Sequence, residues 1–242
     1  MERQKRVFGE FVLIVLGVLT ALGAEEYMSG RRDAALAEEY RTRLHSELTQ
    51  DANALQRRAE FFQVVAGHGR ETLRWLGSDE PGKEETLVGA LLASERWSFT
   101  PRASVYLDLQ NTGNLELIGD LDLRAALSRY HAELAQRQEV WAFPDDYRRL
   151  VRGIVPLAIQ DHVRGGCGVS DQSGSNDAVR GECPLGVLSK EEVAKAASAI
   201  RALPDLERSL RHHVAEVESG AFLYRSQRTL AEDALALLEQ GG

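Results

Sequence analysis

The sequence predicts an all-α protein: a single N-terminal transmembrane helix, then an antiparallel helical bundle with long first and last helices and one disulfide-tied loop. Three observations lead there. Residues 11–24 carry no charge and follow the basic residues Arg3, Lys5 and Arg6. Two long stretches, one after the apolar run and one at the end of the chain, repeat apolar residues at three- and four-residue steps, the period of a helix with one buried face. No segment of the chain alternates apolar and polar residues as a half-buried strand does.

The first element is MERQKRVFGEFVLIVLGVLTALGA. A spanning helix needs roughly 17–25 mostly apolar residues, and residues 7–24 run for about 27 Å at ~1.5 Å per residue. Glu10 interrupts them one turn in, where a carboxylate reaches headgroup water at modest cost. A cleaved signal peptide is the alternative. Leu22-Gly23-Ala24 makes a poor small-x-small site, although Ala21-Leu22-Gly23 passes. A buried soluble helix would leave the basic start without a purpose. Positive charge ahead of the segment holds the N-terminus in the cytoplasm. Residues 1–6 are therefore expected to be cytoplasmic, 7–28 transmembrane and 29–242 periplasmic, on the inner membrane of a bacterial cell. Arg31-Arg32 weakens that charge asymmetry without reversing it.

Glu10, Ile14, Gly17, Ala21 and Ala24 share one face of this helix. Gly17-x-x-x-Ala21 is a spacing that lets a second helix approach closely. The plainer explanation is that Gly and Ala are common in membrane helices.

Residues 31–76 contain no proline. Leu36, Tyr40, Leu44 and Leu48 step by four, and Leu55, Ala59, Phe62, Ala66, Leu73 and Leu76 continue the stripe. One long helix rising from the membrane fits, with Ser29-Gly30 as a candidate hinge. GSDEPGKEE is a turn, and a short helix follows near residues 86–93. Thr100-Pro101 reads as a helix start and Gly113 as the matching stop. Asp120 opens a helix with Leu123, Leu127, Tyr130, Leu134 and Trp141 on one side. Pro144 and Pro156 break what comes next. Ser189-Lys190-Glu191-Glu192 is a capping box opening a helix to about residue 202. After Pro204 a last long helix carries Leu206, Leu210, Val214, Val217, Ala221 and Tyr224.

Cys167 and Cys183, the two cysteines, both lie in a Gly-, Ser- and Asp-rich loop, residues 165–187. A loop so long needs a tie, and an oxidising compartment permits a disulfide worth roughly 3 kcal/mol in the chain-entropy model. A redox or metal pair is the weaker alternative, because no Cys-x-x-Cys is present and no histidine lies in the loop. Asp171, Asn176 and Asp177 do not have the spacing of a calcium loop.

The stretches FGEFVLIVLGVLTAL (8–22) and YLDLQNTGNLELI (106–118), with Asp122-Leu123-Arg124 and Leu127-Ser128-Arg129-Tyr130 after them, resemble an uncharacterised bacterial family. Its members begin with a "GE-hydrophobic-IG-hydrophobic-AL" membrane anchor followed by a helical extracytoplasmic region. The second stretch is similar to the family's "Y-x-x-L-x-x-x-G-x-L-x-x-I … LR … L-x-x-Y" pattern. Tyr27 stands where the family has a Trp, and the cystine loop is an addition. The resemblance implies a retained anchor in which the glutamate is regular. It implies no chemistry.

Composition excludes some partners. Beyond residue 24, 26 Lys and Arg stand against 35 Asp and Glu, a formal charge of −9. Nucleic acid needs a basic face, so none is expected as a partner. No cofactor, metal site or catalytic residue is expected. The six histidines have no metal-ligand spacing, and Asp145-Asp146 reads as a helix-start acid pair. Asn111-Thr112-Gly113-Asn114 is first a helix cap, and Asn111, Gly113 and Asn114 form a candidate partner-facing turn. The expected role is non-enzymatic: an accessory or scaffolding subunit of a larger inner-membrane complex, respiratory, photosynthetic or transport, with other membrane-protein subunits and the lipid bilayer as partners. The alternatives are a periplasmic ligand-binding sensor module and a self-assembling oligomer or channel. The six residues ahead of the anchor count against a sensor, which would need a cytoplasmic output domain.

Overall fold

The computed structural model describes residues 2–96, 100, 102–119, 121–138, 146–167, 169–170, 176–177 and 186–240, with side chains for all of these except 2–12, 135–138, 166–167, 169–170 and 176–177. Eight α-helices lie among them: α1 Glu2–Leu76, α2 Glu84–Leu92, α3 Ser104–Thr112, α4 Leu121–Gln138, α5 Asp146–Ile154, α6 Leu157–His162, α7 Lys190–Arg201 and α8 Leu206–Gln240. A 3-10 helix, Asn114–Ile118, follows α3, and a π-helical turn, Val163–Cys167, follows α6. Val169–Ser170 and Asn176–Asp177 form a two-residue antiparallel ladder, Val169 opposite Asp177.

Proline-free sequence lets α1 run unbroken for 75 residues. The expected hinge at Ser29-Gly30 is absent: the helix passes straight through it. One glycine costs a helix only about 1 kcal/mol relative to alanine, too little to end one extended on both sides. Residues 13–35 are exposed throughout, and among the described side chains of α1 the first buried one is Tyr40. From there the predicted stripe turns inward, with Leu44, Leu48, Leu55, Ala59, Phe62 and Ala66 buried.

The partner of that stripe is α8, whose Leu206, Leu210, Val214, Val217, Ala221 and Tyr224 are all buried. Arg41 donates to the Leu238 carbonyl at 2.9 Å, Gln56 meets Arg228, Phe62 lies 5.4 Å from Tyr224 and Gly69 faces Val214. Numbers rise along α1 as they fall along α8, so the two run in opposite directions. At Gly69 a Cβ would stand 2.4 Å from a Val214 methyl, so only glycine permits this approach. Packed against α8 from another side, α4 buries Leu123, Leu127, Tyr130 and Leu134. Asp120, Trp141, Pro144 and Asp145 lie outside the described residues.

Three local expectations meet their structural counterparts. Gly113 ends α3 at φ 73°, the left-handed conformation glycine adopts freely. Ser189 caps α7: its hydroxyl accepts from the Glu192 amide at 3.3 Å, and its own amide donates to the Glu192 carboxylate at 2.8 Å. The Ser189 hydroxyl also donates to that carboxylate at 2.7 Å, and this bond, with the amide's, holds the Glu192 carboxyl below its ordinary pKa. Pro156 separates α5 from α6. Lacking an N–H, it cannot serve the Arg152 carbonyl four residues back. The Gln160 side-chain amide donates there instead, at 2.8 Å, and to the Val155 carbonyl at 2.8 Å.

One helix start differs. α3 begins at Ser104, not at Thr100-Pro101, and its own cap residue, Ala103, supplies no side-chain bond. Glu47 of α1 does so from outside, accepting from the Ser104 hydroxyl and from the Val105 amide at 3.2 Å. A carboxylate suits that position, because the first amides of a helix lack partners and carry its positive dipole end.

Candidate functional site

The expected anchor face lies on the part of α1 whose described side chains, from residue 13, are all exposed. Ile14 is 64% exposed, Ala21 and Ala24 are exposed, and a Cβ on Gly17 would meet nothing within 4 Å. The Glu10 side chain is outside the described set, although its backbone is helical. The most apolar 18-residue window of this region has a mean hydropathy of 1.3, and none of it is buried in the protein. Exposed Leu13, Ile14, Leu16, Val18, Leu19 and Leu22 make this a contiguous apolar surface of a kind that water does not favour. By length and composition it is long and apolar enough to cross a membrane.

Where α1 enters the folded region, the candidate turn is found beside it. Tyr40 donates to the Asp108 carboxylate at 3.1 Å, and Arg41 to the Ile118 carbonyl at 3.5 Å. Asn111 and Gly113 are exposed and Asn114 is half-buried. The turn therefore sits at the end of the domain from which the apolar segment extends. Cys183 lies outside the described residues, as does the Cys167 side chain, so the pairing stays an expectation.

The most concentrated polar chemistry is elsewhere, at the junction of α1, α3 and α4. Asp51 of α1 is fully buried. Tyr130 of α4, also fully buried, donates to it at 2.8 Å. The Arg102 amide donates at 3.0 Å and its guanidinium at 3.3 Å. Burial pushes the Asp51 pKa up against the pull of these three donors. Burial and the Asp51 charge raise the Tyr130 pKa, so it holds its proton. One turn before Asp51, Glu47 caps α3. Above the pair the His131 ring stacks on Tyr106, centroids 4.2 Å apart and planes 12° from parallel. Burial lowers the His131 pKa to about 4, with Glu47 opposing the shift. The lone pairs of Asp51 are spent on fixed donors, so the group clasps three segments together instead of standing ready to take a proton.

A second cluster closes the end of α2, whose last carbonyls lack partners within the helix. Tyr147 donates to the Ala90 carbonyl at 2.7 Å, and a ring nitrogen of buried His213 lies 2.7 Å from the Ala93 carbonyl. Arg152 reaches the Ser94 hydroxyl at 3.0 Å and the Glu95 carboxylate at 2.5 Å. His213 is thus a core residue, while adjacent His212 is exposed and pairs with Glu216 at 3.2 Å. Far from the apolar segment, Arg201 covers the Trp75 ring at 4.4 Å and takes the Trp75, Ser78 and Glu80 carbonyls. Beside it opens a cleft of about 620 Å³ between the ends of α1 and α7 and the start of α8.

No group of three or more His, Cys, Asp or Glu side chains placed to hold a metal is found among the described residues. Sequence reasoning missed the Asp51 clasp because residues 51, 102 and 130 are joined only by the tertiary fold. One signal was there: Asp51 falls on the buried stripe itself, between Leu48 and Leu55. No family model, no curated protein and no solved structure matches the chain.

Proposed function

We propose that this chain is a single-pass membrane-anchored accessory subunit that scaffolds a larger membrane complex. Its anchor crosses the inner membrane of a bacterium with the N-terminus in the cytoplasm. An antiparallel helical bundle stands in the periplasm, its loop tied by Cys167–Cys183. The carrying observation is the exposed apolar stretch of α1, which continues without a break into the buried stripe of the domain. Apolar surface of that extent is costly in water and stable in lipid, so the membrane is its natural surrounding. Between Ala24 and Leu36 the helix rises about 18 Å at ~1.5 Å per residue, which sets the bundle above the headgroups on a stiff post. The small-residue face of Gly17, Ala21 and Ala24 is unobstructed by the chain's own domain and suits a neighbouring transmembrane helix. The polar clusters support a holding role too, since their donors and acceptors are spent on one another.

Affinity purification of the tagged full chain in a mild detergent tests this. Other membrane-protein subunits in stoichiometric amounts support the accessory role. A homo-oligomer alone replaces it with self-assembly, and a monomer, or a chain released from membranes by alkaline carbonate, overturns it.

A further inference from the structure

We propose that the junction of α1, α3 and α4 is an acid-labile clasp, in which protonation of His131 frees α3 and the turn after it while α1 and α8 stay packed. The geometry makes α3 the releasable part. It is nine residues long, too short to persist as a helix on its own. Its first turn is held by α1 through Glu47 and Asp51 and by Tyr106 lying flat on His131, and its middle only by the Tyr40 hydroxyl on Asp108. His131 makes no hydrogen bond to a described residue, so a proton gained there has no acceptor waiting for it. The α1–α8 contact, by contrast, is apolar along most of its length.

The charged and titratable groups against the ring are Glu47 on α1, Tyr106 on α3 and Tyr130 beside it on α4, with Asp51 and Arg102 bonded in turn behind Tyr130. Glu47 favours the imidazolium, but burial outweighs it. A cation over the Tyr106 face is favoured, but not enough to offset the desolvation it opposes. The packed ring titrates at about 4 against 6.5 when released. Because the packed pKa is the lower one, stability from this group is present above 6.5 and lost as pH falls towards 4. Linkage then raises the released fraction by about 60-fold between pH 7 and pH 4.5. Asp51 works in the opposite sense, since its raised pKa favours the packed form as it takes up a proton. The net expectation is a rise smaller than that of about 60-fold.

Amide hydrogen exchange on the full chain in detergent, at pH 7 and pH 4.5 and corrected for intrinsic rates, reads this directly. Protection of residues 104–112 should drop, by less than about 60-fold, while residues 214–231 hold theirs. His131→Phe, which keeps the stacked ring and removes the titration, should abolish the drop. His131→Gln, also unable to titrate near neutrality, should do the same if the phenyl ring disturbs the site. No loss in the wild type, equal loss in both helices, or a loss that persists in both variants overturns the clasp.

Discussion

Tyr130→Phe removes one oxygen, and the structure says what that oxygen does. Its hydroxyl is fully buried and donates at 2.8 Å to a carboxylate that is also fully buried. A hydrogen bond to a charged group contributes roughly 1.5–3 kcal/mol, and the phenyl ring keeps the packing. Asp51→Ala should cost more, about 3–5 kcal/mol, because it strands the Tyr130 hydroxyl and the Arg102 amide together. The two sites share one bond, so the double variant should fall short of the summed single costs by about 1.5 kcal/mol or more. Urea unfolding of the full chain in detergent, followed by far-UV circular dichroism, measures all three. In thermal melts, a 2 kcal/mol loss in a folded region of this size lowers Tm by about 4–8 °C. A Tyr130→Phe protein within about 0.5 kcal/mol of wild type, together with an additive cycle, would refute the coupling and with it the clasp as a stabilising unit.

Other positions give sharper contrasts. Gly69→Ala should cost about 1–3 kcal/mol by overpacking, since the new methyl meets Val214 at 2.4 Å. Gly67→Ala, two residues away with nothing within 4 Å, should gain up to about 1 kcal/mol from helix propensity; the pair of melts fails the model if both shift the same way. Ser189→Ala should lose about 1 kcal/mol with the α7 cap, and the Glu192 carboxyl should titrate higher by NMR once the hydroxyl's bond to it is gone, with the residue 189 amide still donating. Gly17→Leu with Ala21→Leu should weaken co-purification of partner subunits while leaving the melting of the domain unchanged, and an intact complex would retire the anchor face as a contact.

Features written in neighbouring residues were legible in the sequence. The Ser189 capping box, the Gly113 stop, the break at Pro156 and the two long stripes depend on contacts within a few residues or on a single period, and each is found where the pattern puts it. Features made by distant residues were not. The start of α3 is displaced because its cap is a glutamate 57 residues earlier on α1. Asp51 sits in an apolar stripe, and what satisfies it, Arg102 and Tyr130, comes from other elements. Ser29-Gly30 misled in the other direction: a local breaker signal lost to the helical residues on both sides of it. Of the expected site, the anchor face and the turn are positioned at one end of the molecule, a relation that no spacing along the chain expresses.

The unbroken α1 also makes the protein a lever. From Ala24 to Leu76 the helix spans about 78 Å. A membrane helix commonly tilts by about 20° from the bilayer normal. Each degree of tilt carries the Leu76 end sideways by about 1.4 Å, because no hinge absorbs the rotation and α8 is packed along the same shaft. With the proposed anchor in a bilayer, small rearrangements between neighbouring anchors would be converted into large excursions at the Arg201 cleft, where a bent or jointed stalk would let them die out.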